Sequence, residues 1–173
     1  MEIKKETIKK KGLEVPCVTL QPVDSHGAVV VAHGYGGMKE ETIGLAWHIA
    51  MEGFTTGAID LRGHGENPLL LDKNIQSDLD TAVSYFRKYG KVTAVGHSLG
   101  GRIALTSNAD YVIGISPALS KSFNQETIDT IEELRDYRVR KTQYNLSKLL
   151  KDLPASQFEP DRSLVIYGTR DLP

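Results

Sequence analysis

The chain has 173 residues, 40% of them hydrophobic and 25% charged, with 16 Gly and 7 Pro, which fits one globular domain and excludes a disordered or repeat-built chain. A formal net charge of −1 leaves no broad basic field for nucleic acid or an anionic membrane, so the expected partner is a small or neutral molecule. Cys17 is the only cysteine, the N-terminus opens on the charged Met1-Glu2-Ile3-Lys4-Lys5, and no apolar run is long enough to span a bilayer, which predicts a soluble, cytoplasmic protein without disulfides.

Leu13 to Leu20 mixes β-branched and polar residues ahead of the turn-forming Pro22, Asp24 and Gly27, which predicts the edge strand of a hairpin. Val29-Val30-Val31-Ala32 is a short, continuous apolar run, the pattern of a strand covered on both faces. Beyond a Gly-rich turn, Ile43, Trp47, Ala50 and Met51 recur at helical spacing and predict the packed face of a helix ending at Gly53. The same grammar predicts a strand over Phe54 to Ile59, and a helix with Ile75, Leu79, Val83 and Phe86 on its packed face. A strand over Val92 to Val95, a helix over Leu99 to Leu105, and strands over Tyr111 to Ile115 and Leu164 to Tyr167 follow. Alternation of this kind implies an α/β fold, a mostly parallel sheet with helices on both faces.

The segment 119–158 is too long for a simple crossover. It carries two apolar stripes, Ile128, Ile131 and Leu134, then Leu146, Leu149, Leu150 and Leu153, which predict two short amphipathic helices. The basic residues Arg135, Arg138, Arg140 and Lys141 follow a run of acidic ones, and read as a solvated helix end.

Gly96-His97-Ser98-Leu99-Gly100, followed by Gly101, lies where a predicted strand meets a predicted helix, the context of a G-x-S-x-G nucleophile elbow. A serine on so tight a turn needs glycine two residues before and after it, so that strand and helix backbones can approach. Ser98 would then project at the carboxyl end of a central strand, where open α/β sheets place ligands.

With this motif the sequence resembles the α/β-hydrolase family, especially its small esterases, monoacylglycerol-lipase-like and prolyl-aminopeptidase-like enzymes. Three further segments match it in order: His33-Gly34-Tyr35-Gly36-Gly37, Asp60-Leu61-Arg62-Gly63-His64-Gly65, and Tyr167-Gly168-Thr169-Arg170-Asp171. The resemblance implies that the backbone N–H groups of Tyr35 and Leu99 form the oxyanion hole, that His64 stabilises a turn, and that Asp171 is the triad acid. It implies a single domain over 1–173 with a helical cap insertion at 119–158. The implied chemistry is hydrolysis of a carboxylic ester, or of a thioester or amide, through an acyl-enzyme on Ser98, with no metal or cofactor. A serine here sets the sequence apart from dehalogenases and epoxide hydrolases, whose pattern places an aspartate at the nucleophile position.

One element of the family pattern is missing: no histidine follows Asp171. His26, His33, His48, His64 and His97 all lie upstream and each has a structural place, His97 being expected to point away from the nucleophile. The strand and helix that finish the fold are also missing. The expectation is therefore a truncated hydrolase, or one whose histidine comes from another subunit or segment. The alternative is a non-catalytic relative that binds a ligand or a partner in the same pocket. Nothing in the sequence bears on the oligomeric state.

Overall fold

The computed structural model describes residues 1–10, 12–156 and 158–169. Seven strands are formed among them: β1 (Glu2–Lys10), β2 (Leu13–Gln21), β3 (Ala28–Ala32), β4 (Thr55–Ile59), β5 (Val92–His97), β6 (Tyr111–Ile115) and β7 (Ser163–Ile166). They make one sheet in the order β1-β2-β4-β3-β5-β6-β7, with β1 and β2 antiparallel to their neighbours and the other five strands parallel.

Successive side chains of a strand point to opposite faces, and the two faces build two cores. On one face Val29 and Val31 join Val18, Leu20, Ala58 and Val95 beneath Ala46 and Ala50 of α1 (Lys39–Met51). On the other, Val30, Ala32, Ile59, Ala94 and Val112 are covered by Leu79, Val83 and Phe86 of α2 (Gln76–Phe86) and Ile103 of α3 (Leu99–Leu105). The predicted α/β architecture, mostly parallel with helices on both faces, is the one observed.

Two readings change. Leu13–Gln21 is not an edge strand: it lies between β1 and β4 with most of its residues buried. The edge is β1, whose Lys-rich sequence hides it, because only Ile8 is turned into the core. Charged side chains on such an edge also discourage pairing with another chain. On α1, Trp47 and Met51 do not pack on the sheet but stay 41% and 62% exposed. The small Ala46 and Ala50 form the contact instead, because a helix this close to the sheet has no room for an indole.

By register Leu164 and Ile166 of β7 share a face with Ile113 and Ile115 of β6, and they remain 51% and 45% exposed. No helix among the described residues is long and apolar enough to cross a membrane.

Candidate active site

The chain reverses direction on Ser98, between the end of β5 and the start of α3. Its φ of 52° and ψ of −116° put a residue with a side chain in sparsely populated backbone space, a strain that persists only where the surroundings enforce it. Glycines permit the approach. A Cβ on Gly96 would fall on the carbonyl oxygen of Gly100 and 2.6 Å from the nitrogen of Gly101, and one on Gly100 would lie 2.5 Å from the carbonyl oxygen of Ala32. The main chain of Ser98 is tied down as well: its N–H donates to Ile115 at 3.0 Å, and its carbonyl accepts from Arg102 and Ala118 at 3.1 Å.

Ser98 faces a cavity of about 400 Å³. Gly34, Tyr35, His97 and Leu99 line it from the sheet side, and Phe123, Ile131, Leu146 and Leu150 line it from the segment above. The N–H of Tyr35 has no acceptor among the described residues, and that of Leu99, first in its helix, has none within the helix. Ser98, Tyr35 and Leu99 are therefore gathered round one space. Asp171 lies outside the described residues; Tyr167, just after β7, lines the same cavity.

Buried histidines hold the loop carrying Tyr35. His33 accepts the Leu61 N–H on Nε2 at 3.2 Å, which leaves Nδ1 to donate to the Gly34 carbonyl at 2.7 Å. Burial pushes the His33 imidazole below its ordinary value. His64, its ring centroid 4.9 Å from that of His33, donates Nδ1–H to the Arg62 carbonyl at 2.9 Å, which is the turn-stabilising place expected of it. Burial, and after it the neighbouring His33, push His64 down to about 3. His97 corrects the sequence reading. It is exposed and lines the cavity beside Ser98, because the turn keeps the last strand residue at the open end of the sheet. No histidine hydrogen-bonds the Ser98 hydroxyl among the described residues, and His48 is exposed on α1.

The segment above the cavity contains the two expected helices, α4 (Gln125–Arg135) and α5 (Leu146–Asp152). Asn124 and Asn145 cap them, accepting the N–H groups of Thr127 at 2.8 Å and Lys148 at 3.0 Å. Sequence reasoning missed what fastens this segment down. Arg102 of α3, fully buried, donates to the carbonyls of Ser120 at 2.8 Å and Leu153 at 3.1 Å, and so holds both ends. A cation inside the otherwise apolar Leu99-Gly100-Gly101-Arg102-Ile103-Ala104-Leu105 was the available signal.

The Tyr35 hydroxyl donates to Asp136 at 2.5 Å, and burial followed by that carboxylate pushes the phenol well up. Arg138 pairs with Glu41, Lys141 with Asp136, and Arg140 donates to the carbonyls of Gly65 at 2.7 Å and His64 at 3.3 Å. Of the four residues read as a solvated helix end, Arg135 is exposed at the end of α4, whereas Arg138 and Arg140 anchor the segment to the residues beneath it and Lys141 is paired within it.

Residues 27–118 match the family described as alpha/beta hydrolase fold. No curated protein matches the chain. Among solved structures it is similar to the α/β hydrolase GrgF from Penicillium sp. sh18 (19% identity, 79% of this chain and 53% of that one, TM-score 0.65). It is also similar to the thioesterase domain from the curacin biosynthetic pathway (17% identity, 83% and 54%, TM-score 0.60) and to the epoxide hydrolase CorEH (23% identity, 77% and 50%, TM-score 0.58). At these identities the likeness speaks for the fold. The chain spans about half the length of these structures.

Proposed function

Since the chain belongs to the α/β-hydrolase family, we propose that it carries the nucleophile and oxyanion hole of a serine hydrolase acting on carboxylic esters, with thioesters and amides as the neighbouring substrate classes. Ser98 attacks the acyl carbonyl as its proton passes to a general base, and the N–H groups of Tyr35 and Leu99 receive the oxyanion. The ester C–O bond breaks so that the alcohol leaves with that proton, and water then frees the acyl group as the carboxylic acid and restores the Ser98 hydroxyl. Asp171 is the acid that steadies a histidine base, and no histidine follows it in this sequence to supply that base. Residues 119–158 act as a cap whose apolar side chains exclude water, within a single domain.

The observation that carries this reading is the strained Ser98 on its glycine-tight turn, opening into the 400 Å³ cavity. Strain of this kind costs of order 1–3 kcal/mol and marks functional positions. The test is release of nitrophenol from a series of p-nitrophenyl esters by the chain and by Ser98→Ala. Release that disappears in the variant supports the reading; equal release from both overturns it.

A second reading has its own observation, the absence of a histidine bonded to Ser98 among the described residues. In that reading the cavity holds an apolar ligand or a partner segment without turnover. Ester binding with no release of nitrophenol in the same assay favours it.

A further inference from the structure

The cavity above Ser98 is apolar over most of its wall, and among the described residues two with charged side chains line it, Glu41 and Arg135. They are not equivalent. Glu41 is paired with Arg138, so it presents little uncompensated charge. Arg135 has no ion-pair or hydrogen-bond partner among the described residues. The three cations nearest it in sequence are engaged, Arg138 with Glu41, Arg140 with loop carbonyls and Lys141 with Asp136, and Lys148 and Lys151 do not line the cavity.

The place of Arg135 is also fixed. A Cβ on Gly36 would lie 2.5 Å from Cβ of Arg135 and 2.9 Å from its carbonyl oxygen, so the end of α4 sits directly on the loop that carries Tyr35. Gly36 adopts a φ of +66°, so a side chain there is disfavoured both by conformation and by space. The neighbouring residue, Asp136, is held by the Tyr35 hydroxyl at 2.5 Å. The backbone and Cβ of Arg135 are thus anchored beside a cavity whose wall includes Phe123, Ile131, Leu146 and Leu150, and its unpaired side chain lines that cavity.

The geometry points to an acyl substrate that carries an anionic oxygen group, a carboxylate or phosphate, away from the bond that is cleaved, with Arg135 as the specificity-determining residue that receives it. The guanidinium presents paired N–H donors that suit such a group. The apolar wall takes the intervening carbon chain. This inference rests on the cavity being the substrate site of the proposed hydrolase.

The test is calorimetric binding of the half-methyl esters of glutarate, adipate and suberate, each against its neutral dimethyl ester. It uses Ser98→Ala chain so that nothing is turned over, with and without Arg135→Gln, and with Arg135→Lys as the conservative variant. At low salt a half-ester of matching length binds about fivefold or more tighter than its diester, on the scale of a partly exposed charge-assisted contact. Arg135→Gln abolishes that preference and leaves diester binding unchanged, Arg135→Lys keeps part of it, and high salt weakens it. Half-esters that bind no better than diesters, or not at all, overturn the inference. So does a preference that survives Arg135→Gln, or equal weakening of both ligand types in that variant. Covalent reactivity of Ser98 is read separately on the unmodified chain, so a failure of the hydrolase reading and a failure of this one are distinguishable.

Discussion

The floor and the roof of the cavity are held by different physics. The floor is a matter of backbone against backbone at the turn on Ser98, with Gly96 and Gly100 placed where any side chain collides, and the loop of Tyr35 beside it is braced by the buried His33 and His64. The roof, α4 and α5, sets Ile128, Leu149, Leu150 and Leu153 into the core beneath it and is fastened there by single polar side chains: Arg102 at its two ends, Tyr35 on Asp136, Arg138 on Glu41 and Arg140 on the carbonyls of His64 and Gly65. Backbone contacts of the first kind have no tolerance, whereas polar contacts of the second kind can be removed one at a time. The floor should therefore fail all at once and the roof by degrees.

Gly96→Ala gives the sharpest test of that contrast. With its Cβ on the Gly100 carbonyl, the variant should lose about 3 kcal/mol or more of stability, at the upper end of overpacking costs, and show a broad or absent thermal transition. A transition within a few degrees of the parent would mean that the floor can relax. Arg102→Ala comes next. It strips the donors from the Ser120 and Leu153 carbonyls and empties a fully buried site, so about 2–3 kcal/mol should be lost. Limited proteolysis should cut first within the roof, and cutting at β1 instead would contradict the assignment.

Acid should act on the floor. His64 is depressed to about 3 when folded, against about 6.5 unfolded. Its contribution is fully present above pH 6.5 and is lost as the pH falls toward 3, because the unfolded chain then binds a proton that the folded one does not. By pH 5 this amounts to about 2 kcal/mol from His64, with His33 acting in the same direction. Denaturant midpoints measured from pH 7.5 to 5 should fall accordingly, and should fall less in His64→Gln. The smallest effect is expected for Tyr35→Phe. About 1 kcal/mol should be lost with the bond to Asp136, together with faster amide hydrogen exchange in α4 and unchanged exchange in β3 and β5.

The same contrast explains what the sequence revealed. Elements whose burial is two-sided, such as Val29-Val30-Val31, or whose turn demands glycine, such as Gly96 to Gly100, leave composition no freedom and are readable. β1 was unreadable because an edge strand buries only one side chain, Ile8, among lysines and glutamates. Trp47 misled because helical spacing says which residues share a face, not which face touches the sheet. The roof helices were legible from their leucines and isoleucines, but their fastening was not. Arg102 meets carbonyls of residues 120 and 153, and the Tyr35 hydroxyl meets a carboxylate 101 positions away, pairings that no local pattern encodes. His97 is a related case: it keeps its register opposite Ile115 at the end of β5, and strand alternation does not say that a residue so close to the turn borders the cavity.

The central claim, that Ser98 is a reactive nucleophile, is tested most directly by the intact mass of the chain before and after exposure to a serine-directed fluorophosphonate, with peptide mapping of any adduct. The account predicts a single adduct on Ser98 that is absent from Ser98→Ala. No adduct on a folded chain, or an adduct that persists in the variant, would contradict it.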